Sequence, residues 1–297
     1  MSHVCSIGGG KGGTGKSFIA ACVGTLLAKH GKSVVLVDLD LGASNLHTFM
    51  GMKCPVKGLD GYISKKMASL EQGIVATPVD NLFLLSSARC SLEVANLYHV
   101  QKKKIVRGIQ NLPHDFVILD LGSGTHFNTL DFFLSAEKGL IVTTPEPTAI
   151  ENTFRMIKTI YFRKLKQLVS KLGISYMCKK EISEFALGQI KYPSDLIKLF
   201  STKYEELGKE IEETIKKMSF NIIVNKCDKS DSLTLGQQIT LVCNRHFYKN
   251  FHFLGNVHYD TRVHQSILNR SIFVHRYPYT TTAVDLDKLT KNLLGLL

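Results

Sequence analysis

The ten residues from Gly8 to Ser17 constrain the fold of this chain more than any other segment. They read Gly-Gly-Gly-Lys-Gly-Gly-Thr-Gly-Lys-Ser and contain the pattern GxxxxGK[ST] between Gly10 and Ser17. An apolar run at residues 3–7 precedes them, and a helical pattern from about Gly15 to His30 follows and stops at Gly31. Strand, glycine-rich loop and helix in this order predict a phosphate-binding unit, because the loop and the helix N-terminus turn backbone N–H groups toward one anion.

Within this unit each residue type has an expected task. We expect Lys16 to reach the β- and γ-phosphates of a nucleotide and Ser17 to give its hydroxyl to Mg²⁺, which prefers oxygen ligands. A glycine-rich turn that merely packs tightly is the alternative interpretation, and the full pattern in this context disfavours it. The residues expected to contact the nucleotide here are Gly10, Lys11, Gly12, Gly13, Thr14, Gly15, Lys16 and Ser17.

Two apolar runs end in carboxylates in the same way. Residues 33–37 lead into Asp38-Leu39-Asp40, and residues 116–119 lead into Asp120. Further strand candidates are residues 82–85, 139–143, 221–224 and 251–254, with helical stretches between them. Strands without polar alternation predict a mostly parallel sheet covered on both faces, hence a doubly wound α/β fold in one domain, residues 1–297. The carboxylates should then meet at the carboxyl edge of the sheet.

One segment, residues 161–217, is too long for a simple connection between strands. It predicts a helical insertion, whose second part (181–217) carries both signs of charge as on one or two solvent-facing helices. The first part, 161–180, has six cations and no acidic residue. A solvated helix face and a contact surface for a membrane or for non-specific DNA, through basic residues 163–180, are both open interpretations.

Composition narrows the setting. The formal net charge of +12 favours a polyanionic partner. No signal peptide or apolar span of about 18 residues is evident, so we expect a cytoplasmic protein, and a peripheral position at a membrane or the nucleoid stays open. The seven cysteines are scattered without a CxxC pair, which indicates reduced thiols and disfavours a zinc or iron–sulfur site.

The second lysine of the loop points to a family. The segment Lys11 to Ser17 matches KGGxGK[ST], and the chain therefore resembles the deviant Walker A family, the MinD/ParA ATPases. The resemblance implies ATP and Mg²⁺ as cofactors, weak, partner-stimulated ATP hydrolysis, and an ATP-dependent homodimer in which Lys11 reaches the phosphates of the other subunit. It implies catalytic roles for Lys11, Lys16 and Asp40.

The same resemblance assigns further site residues. Asp40 would lie in switch I near Mg²⁺ and the attacking water, and Asp120 would be the Walker B carboxylate acting on Mg²⁺, so that Ser17, Asp40 and Asp120 form the metal set. Gly122 would donate its amide to the γ-phosphate from switch II, although Leu121-Gly122-Ser123-Gly124 departs from the usual family wording. Asn225 resembles the family asparagine that reads the adenine edge.

Two segments favour a branch of the family. Asp-Leu-Asp-Leu-Gly-Ala-Ser-Asn at 38–45 and Thr-Thr-Pro-Glu-Pro-Thr at 143–148 are similar to MinD and its flagellar relative FlhG. The resemblance implies control of the placement or number of a structure such as flagella or the division site. The N-terminal extension of FlhG is missing from this sequence, and the compact MinD core has no insertion. Residues 284–297 fit either a membrane anchor or, preferably, a core-packing last helix.

Two rival functions stay open at this level. One is a ParA-like ATPase that binds DNA non-specifically in segregation, using the basic surface. The other is a metabolic P-loop enzyme, such as an amide-forming ligase, whose substrate site lies in the insertion.

Overall fold

Eight strands form one sheet. The computed structural model of the chain describes residues 2–90, 97–173, 175–176, 178–228, 230–231, 233–248 and 250–295. The sheet order is β3-β4-β2-β5-β1-β6-β7-β8, and every neighbouring pair is parallel except β3 with β4. The strands are β1 His3–Gly8, β2 Val34–Leu39, β3 Val75–Ala76, β4 Leu82–Leu85, β5 Phe116–Leu121, β6 Lys138–Thr143, β7 Ser219–Cys227 and β8 Phe251–His258.

Helices cover the sheet on both sides, as parallel strands require. They are α1 Lys16–Lys29, α2 Leu46–Phe49, α3 Leu59–Ile63, α4 His99–Gln110, α5 Phe127–Phe133, α6 Pro147–Lys171, α7 Lys179–Ala186, α8 Pro193–Lys203, α9 Glu205–Lys216, α10 Leu235–His246, α11 Arg262–Leu268, α12 Phe273–Arg276 and α13 Thr281–Gly295, with a 3₁₀ turn at Leu70–Gly73. Among the described residues no helix is long and apolar enough to cross a bilayer.

Alternate residues of the central strands enter two separate cores. In β2, Val35, Val37 and Leu39 face a core to which α4 and α6 contribute, whereas Val34 and Leu36 face a core built with α1 and α13. This period of two is the direct consequence of the strand geometry. The predicted doubly wound, mostly parallel sheet is confirmed.

The order in which the chain adds strands to the sheet switches sides at β1, since β5 lies on one side of β1 and β6 on the other. At such a point the loops after neighbouring strands diverge and leave a crevice at the carboxyl edge. The register pairs Ile7 with Asp120 and Asp38 with Asp120, so the ends of β1, β2 and β5 lie side by side. The glycine-rich loop therefore opens at the centre of this edge.

The strand boundaries differ from the predicted ones mainly at the carboxyl ends. Every predicted strand is present, but β2 and β5 each extend two residues further, which places Asp38 and Asp120 within strands and Asp40 just after one. The two-residue edge strand β3 was not predicted, because two residues carry no readable alternation.

The segment 161–217 is organised differently from the prediction in two respects. Residue 161 does not begin a new unit, because α6 continues without interruption from Pro147 to Lys171. The expectation of one or two solvent-facing helices over 181–217 is wrong: three helices, α7 to α9, follow, and their apolar faces are buried in the core shared with α4 and α6. The buried residues include Phe185, Leu196, Phe200, Ile211 and Ile215.

The C-terminal helix packs on the body of the protein. Leu286, Leu289 and Leu293 of α13 are fully buried against α1 and β8. This arrangement favours the core-packing interpretation of this segment over the membrane anchor; its last two residues, 296–297, lie outside the described residues.

The shared core makes a prediction about domain organisation. Phe200→Ala should lower the free energy of unfolding by about 3–5 kcal/mol, because it removes a fully buried ring, and the whole chain should unfold in one transition. Urea denaturation followed by circular dichroism measures both. The matched control is the neighbouring, partly exposed Leu199→Ala, for which we expect a change of roughly 0.5 kcal/mol or less. A separate early transition in Phe200→Ala would show that α7 to α9 form an independent unit.

Candidate nucleotide site

Tight packing fixes the glycine-rich loop in place. A Cβ at Gly10 would lie 2.2 Å from the backbone oxygen of Asn152 in α6, so no larger residue fits without moving that helix. Gly15 has φ +93°, a left-handed conformation that favours glycine, and serves as N-cap of α1. The first turn of α1 carries no side-chain cap and no acidic residue. Its N–H groups are therefore available to an anion.

Asn225 of β7 supports the glycine-rich loop. Its side chain is buried at the end of β7, and Nδ2 donates a hydrogen bond of 2.8 Å to the carbonyl oxygen of Thr14. The same Nδ2 would lie 2.2 Å from a Cβ at Gly15. The structure thus gives Asn225 a contact that sequence reasoning did not foresee. Reading of an adenine edge by this residue stays a prediction.

Lys16 and Asp120 form the electrostatic centre of the site. Both side chains are buried, and the Ser17 side chain lies close enough to the Asp120 carboxyl group to lower its pKa in part. Burial lowers the pKa of the Lys16 ammonium, and the Asp120 and Asp40 carboxylates oppose that shift. Burial, followed by repulsion from Asp38, raises the pKa of Asp120 to about 8. The raised pKa favours the neutral form of Asp120 near neutral pH as long as no cation is bound.

Asp120 also fits the implied magnesium ion. Its Oδ1 is buried and has no hydrogen-bond partner, while the Ser17 hydroxyl lies next to the same carboxyl group. The described residues contain no group of three His, Cys, Asp or Glu side chains placed to hold a metal. Mg²⁺ commonly keeps several waters and takes one or two carboxylates together with substrate phosphates, so this sparse oxygen set suits it better than a protein-only cage would.

Asp38 holds the loop that follows β2. Its carboxylate accepts hydrogen bonds from Ser44 Oγ at 2.6 Å, Leu46 N at 3.1 Å and Asp40 N at 3.1 Å. These donors offset the burial that raises the Asp38 pKa. Asp38 therefore has a structural role, because it sets the position of Asp40.

Asp40 and Gly122 face each other across the crevice. A Cβ at Gly122 would lie 3.1 Å from Oδ1 of Asp40. Both residues line a cavity of about 670 Å³ between the loops after β2 and β5. The second of these loops is tied to the first glycines of the site, because Gly124 N donates to Gly9 O at 3.1 Å. The two predicted switch residues are thus adjacent.

Lys11 lies apart from the buried centre. Its Nζ donates to Glu146 Oε2 at 2.7 Å and to Thr148 Oγ1 at 3.1 Å, both at the start of α6. The side chains of Lys11 and Glu146 are 39% and 60% exposed, so this pair is a surface pair. The Lys11 ammonium lowers the pKa of Glu146. Glu146 and Thr148 were not predicted as site residues; the basic residue in the loop and the acidic residue before α6 were the available signal.

A second cleft lies at the ends of β7 and β8, and its lining begins at Cys227, two residues after Asn225. It has a volume of about 850 Å³, and its lining includes Asp228, His258 and Arg262. His258 Nδ1 lies 2.6 Å from Asp285 Oδ2 of α13.

Comparison with known proteins agrees with this geometry. Residues 5–272 match the family described as the CobQ/CobB/MinD/ParA nucleotide binding domain. The chain belongs to this family. The loop Gly8 to Ser17, the carboxylates after β2 and β5, and the crevice beside β1 are thus parts of a nucleotide-binding domain of the MinD/ParA type.

Individual relatives are similar over part of the sequence and all of the fold. The septum site-determining protein MinD of Thermotoga maritima is 32% identical over 159 residues, 53% of this chain and 58% of that protein. MinD of Bacillus subtilis is 32% identical over 161 residues, 53% of this chain and 59% of that protein. The chain therefore spans less than two thirds of these curated relatives.

The structural neighbours extend the likeness along the whole fold. MinD of Pyrococcus horikoshii, solved as a complex with Mg-ADP, superimposes with a TM-score of 0.68 at 20% identity, covering 100% of this chain and 97% of that one. Cell division ATPase MinD of Pyrococcus furiosus gives 0.69 at 20% identity over 100% of both chains.

The hydrogen bond from Asn225 to Thr14 allows a test between two roles for Asn225, namely support of the loop and contact with the base. Asn225→Ala should weaken the binding of ATP and of inorganic triphosphate alike, each by about tenfold, because the loop loses a buried hydrogen bond that orients its backbone. Isothermal titration calorimetry with both ligands measures this. If only ATP binding weakened, Asn225 would act on the base and not on the loop. Asn256→Ala, at a residue of β8 outside the phosphate loop, serves as a control.

Proposed function

We propose that the protein is an ATP-dependent dimerising switch that hydrolyses ATP to ADP and phosphate. The observation that carries the proposal is the contrast between the two lysines of one loop: Lys16 is buried beside Asp120, whereas Lys11 lies at the surface. One cation suffices to hold the phosphates of the chain's own nucleotide. A second, exposed cation at the rim suits a contact with another molecule.

In the single subunit, Lys11 is held by a weak surface ion pair with Glu146. An exposed ion pair is screened by water and contributes little, so exchanging Glu146 for a triphosphate costs little. In the proposed dimer Lys11 leaves Glu146 and Thr148 and reaches the phosphates bound to the partner subunit. ATP then joins two subunits, and hydrolysis removes the charge that Lys11 contacts.

Hydrolysis is assigned to the residues at the carboxyl edge. Gly10 to Ser17 hold the phosphates with their backbone N–H groups, and Lys16 neutralises charge on the β- and γ-phosphates. Ser17 and Asp120 are the proposed holders of Mg²⁺, with Asp40 near it. When bound, the ion supplies charge neutralisation to the phosphates. Asp40 orients the attacking water, and the Gly122 N–H faces the γ-phosphate across the same cavity.

The second cleft is the proposed location of the base. It opens at the ends of β7 and β8, on the strand that carries Asn225, and carboxylates such as Asp228 can accept hydrogen bonds from exocyclic N–H groups. Polar groups of this kind fix the orientation of a ligand, while the cleft walls exclude water.

The process served is proposed from the relatives. Those reported above are named septum site-determining proteins or cell division ATPases, and another neighbour is a MinC:MinD complex from Aquifex aeolicus. By analogy, this chain controls the placement or number of a cellular structure through a partner protein that binds the ATP dimer. It acts in the cytoplasm and at a surface. ATP turnover without any added metabolite would argue against the rival of a metabolic ligase.

The role of Lys11 predicts a separation of binding from association. Lys11→Ala should bind ATP within a fewfold of wild type but form no ATP-dependent dimer, whereas Lys16→Ala should lose ATP binding itself. Analytical ultracentrifugation with ADP and with a non-hydrolysable ATP analogue, next to calorimetric titration, measures both properties. The control is Lys32→Ala, at an exposed lysine in the turn between α1 and β2. A Lys11→Ala protein that dimerised like wild type would overturn the proposed interface.

The role of Asp40 predicts a trapped state. Asp40→Ala should retain ATP and the ATP dimer but hydrolyse slowly, by at least about a hundredfold, because the water loses its orienting carboxylate. Phosphate release under single-turnover conditions gives the rate. Ser44→Ala is an informative comparison, because it removes one of the three hydrogen bonds to Asp38 but keeps the Asp40 carboxylate, and we expect a smaller loss of rate. Wild-type turnover in Asp40→Ala would remove Asp40 from the chemistry.

A further inference from the structure

His258, the last residue of β8, is held in the second cleft by contacts with the first turns of α13. Asp285 Oδ2 lies 2.6 Å from the ring Nδ1 and also accepts the backbone N–H of His258 at 3.1 Å. The Thr282 hydroxyl donates to the His258 carbonyl oxygen at 2.9 Å. One helix therefore fixes both the backbone and the ring of this residue.

These contacts decide which ring nitrogen of His258 carries the proton. A carboxylate oxygen can only accept a hydrogen bond, so Nδ1 is the donor toward Asp285. In the neutral ring the other nitrogen, Nε2, then has a free lone pair and acts as an acceptor. Among the residues that the structure describes, Nε2 has no partner. His258 therefore presents one unused acceptor whose direction is set by the fold.

The free edge of the His258 ring is open to the cleft. The residue belongs to the lining of this cleft of about 850 Å³, and its side chain is 29% exposed. Nε2 is not one of the buried polar atoms that lack a partner, so it is reached by solvent. Because Nδ1 is covered by Asp285, the accessible part of the ring is the edge that carries Nε2. A ligand in the cleft can therefore contact this atom.

Two carboxylates of the cleft are less suited to select a ligand. Asp260 is already occupied by Arg262, whose guanidinium donates two hydrogen bonds of 2.8 Å and whose backbone N–H donates a third of 2.9 Å. Asp228 is exposed, so water competes for its oxygens. Of these three acceptors, His258 alone is both free of a competing donor and held in one orientation.

A fixed acceptor can select a purine by the group at its C6 position. The 6-amino group of adenine is a donor and can bond to Nε2, whereas the 6-oxygen of guanine is an acceptor and would place two lone pairs against each other. A site built to hydrogen-bond such a group also rejects an analogue that lacks it, because the polar atom of the site then stays without a partner.

We propose that His258 is the base-selecting residue of the second cleft, where its Nε2 accepts a hydrogen bond from the 6-amino group of adenine. Asp285 is the positioning residue that fixes the ring for this contact. The amide nitrogen of Asn225 is bonded to the phosphate loop at Thr14 and leaves this task open. The inference rests on the proposed function, which places the base in this cleft, and it adds the atom that chooses adenine.

Two nucleotides that differ by one amino group test this contact. Wild type should bind ATP about tenfold more tightly than purine riboside triphosphate, which has hydrogen in place of the 6-amino group. His258→Phe keeps an aromatic ring in the cleft but has no acceptor, so it should bind the two nucleotides equally. Asp285→Ala should lower the ratio of the two affinities as well, because the ring is no longer held. Isothermal titration calorimetry on the full-length proteins measures these affinities.

The matched control changes a second histidine that pairs with an aspartate of the same helix. His30 Nε2 lies 3.4 Å from Asp287 Oδ1, and His30 does not line the cleft. His30→Phe should therefore keep the wild-type ratio of affinities. Inorganic triphosphate, which has no base, is titrated in parallel and should bind to wild type and to all three variants alike.

The outcomes separate the base-selecting role from the switch function. Wild type that bound both nucleotides equally, or His258→Phe that discriminated like wild type, would overturn the inference alone. A changed ratio in His30→Phe would trace the effect to the packing of α13 and overturn it too. Loss of inorganic triphosphate binding in both His258→Phe and Asp285→Ala would give this pair a structural role instead. If wild type bound no ATP, the proposed function itself would fail, and the inference with it.

Discussion

The rest of the site depends on the burial of Lys16 and Asp120, two side chains whose charges act on each other. The Lys16 ammonium and the Asp120 carboxyl group lie at the carboxyl edge of the sheet, where neither is fully solvated. Burial lowers the pKa of Lys16 and raises that of Asp120, so it favours the neutral form of each. A bound triphosphate would stabilise the charged form of Lys16, and a magnesium ion would stabilise the charged form of Asp120. The fold thus buries a polar centre at a cost in free energy, and the bound ligand would offset that cost.

Backbone packing makes this centre rigid. The loop is confined on one side by the backbone of α6 at Gly10 and on another by Asn225 at Gly15. Asp38, held by three donors, fixes the neighbouring loop in the same way. Because these supports come from β2, β7 and α6, the site depends on the order of strands across the whole sheet.

Sequence reasoning reached the parts of the molecule that have a local signature. The GxxxxGK[ST] loop, the apolar strands and the carboxylates at their ends could be predicted, because each follows from spacing within a few residues. Three contacts could not be predicted. They are the hydrogen bond of Asn225 to Thr14, the ion pair of Lys11 with Glu146, and the contacts of Asp131 with both α4 and α6. Each joins residues far apart in sequence, and only the packing of the sheet decides that they meet. The α7 to α9 segment failed differently: its charges suggested solvated helices, but its sparse apolar residues suffice to bury one face.

Helix α5 connects the nucleotide site to helices α4 and α6. This helix begins directly after the loop that holds Gly122 and Gly124, and Gly124 N is bonded to Gly9 O of the phosphate loop. Four residues into α5, Asp131 is clamped between Lys102 and Arg163. A displacement of the Gly122 loop on nucleotide binding would have to move α5 or strain this clamp. Because Lys102 lies in α4 and Arg163 in α6, a movement of α5 would be transmitted to both of these helices.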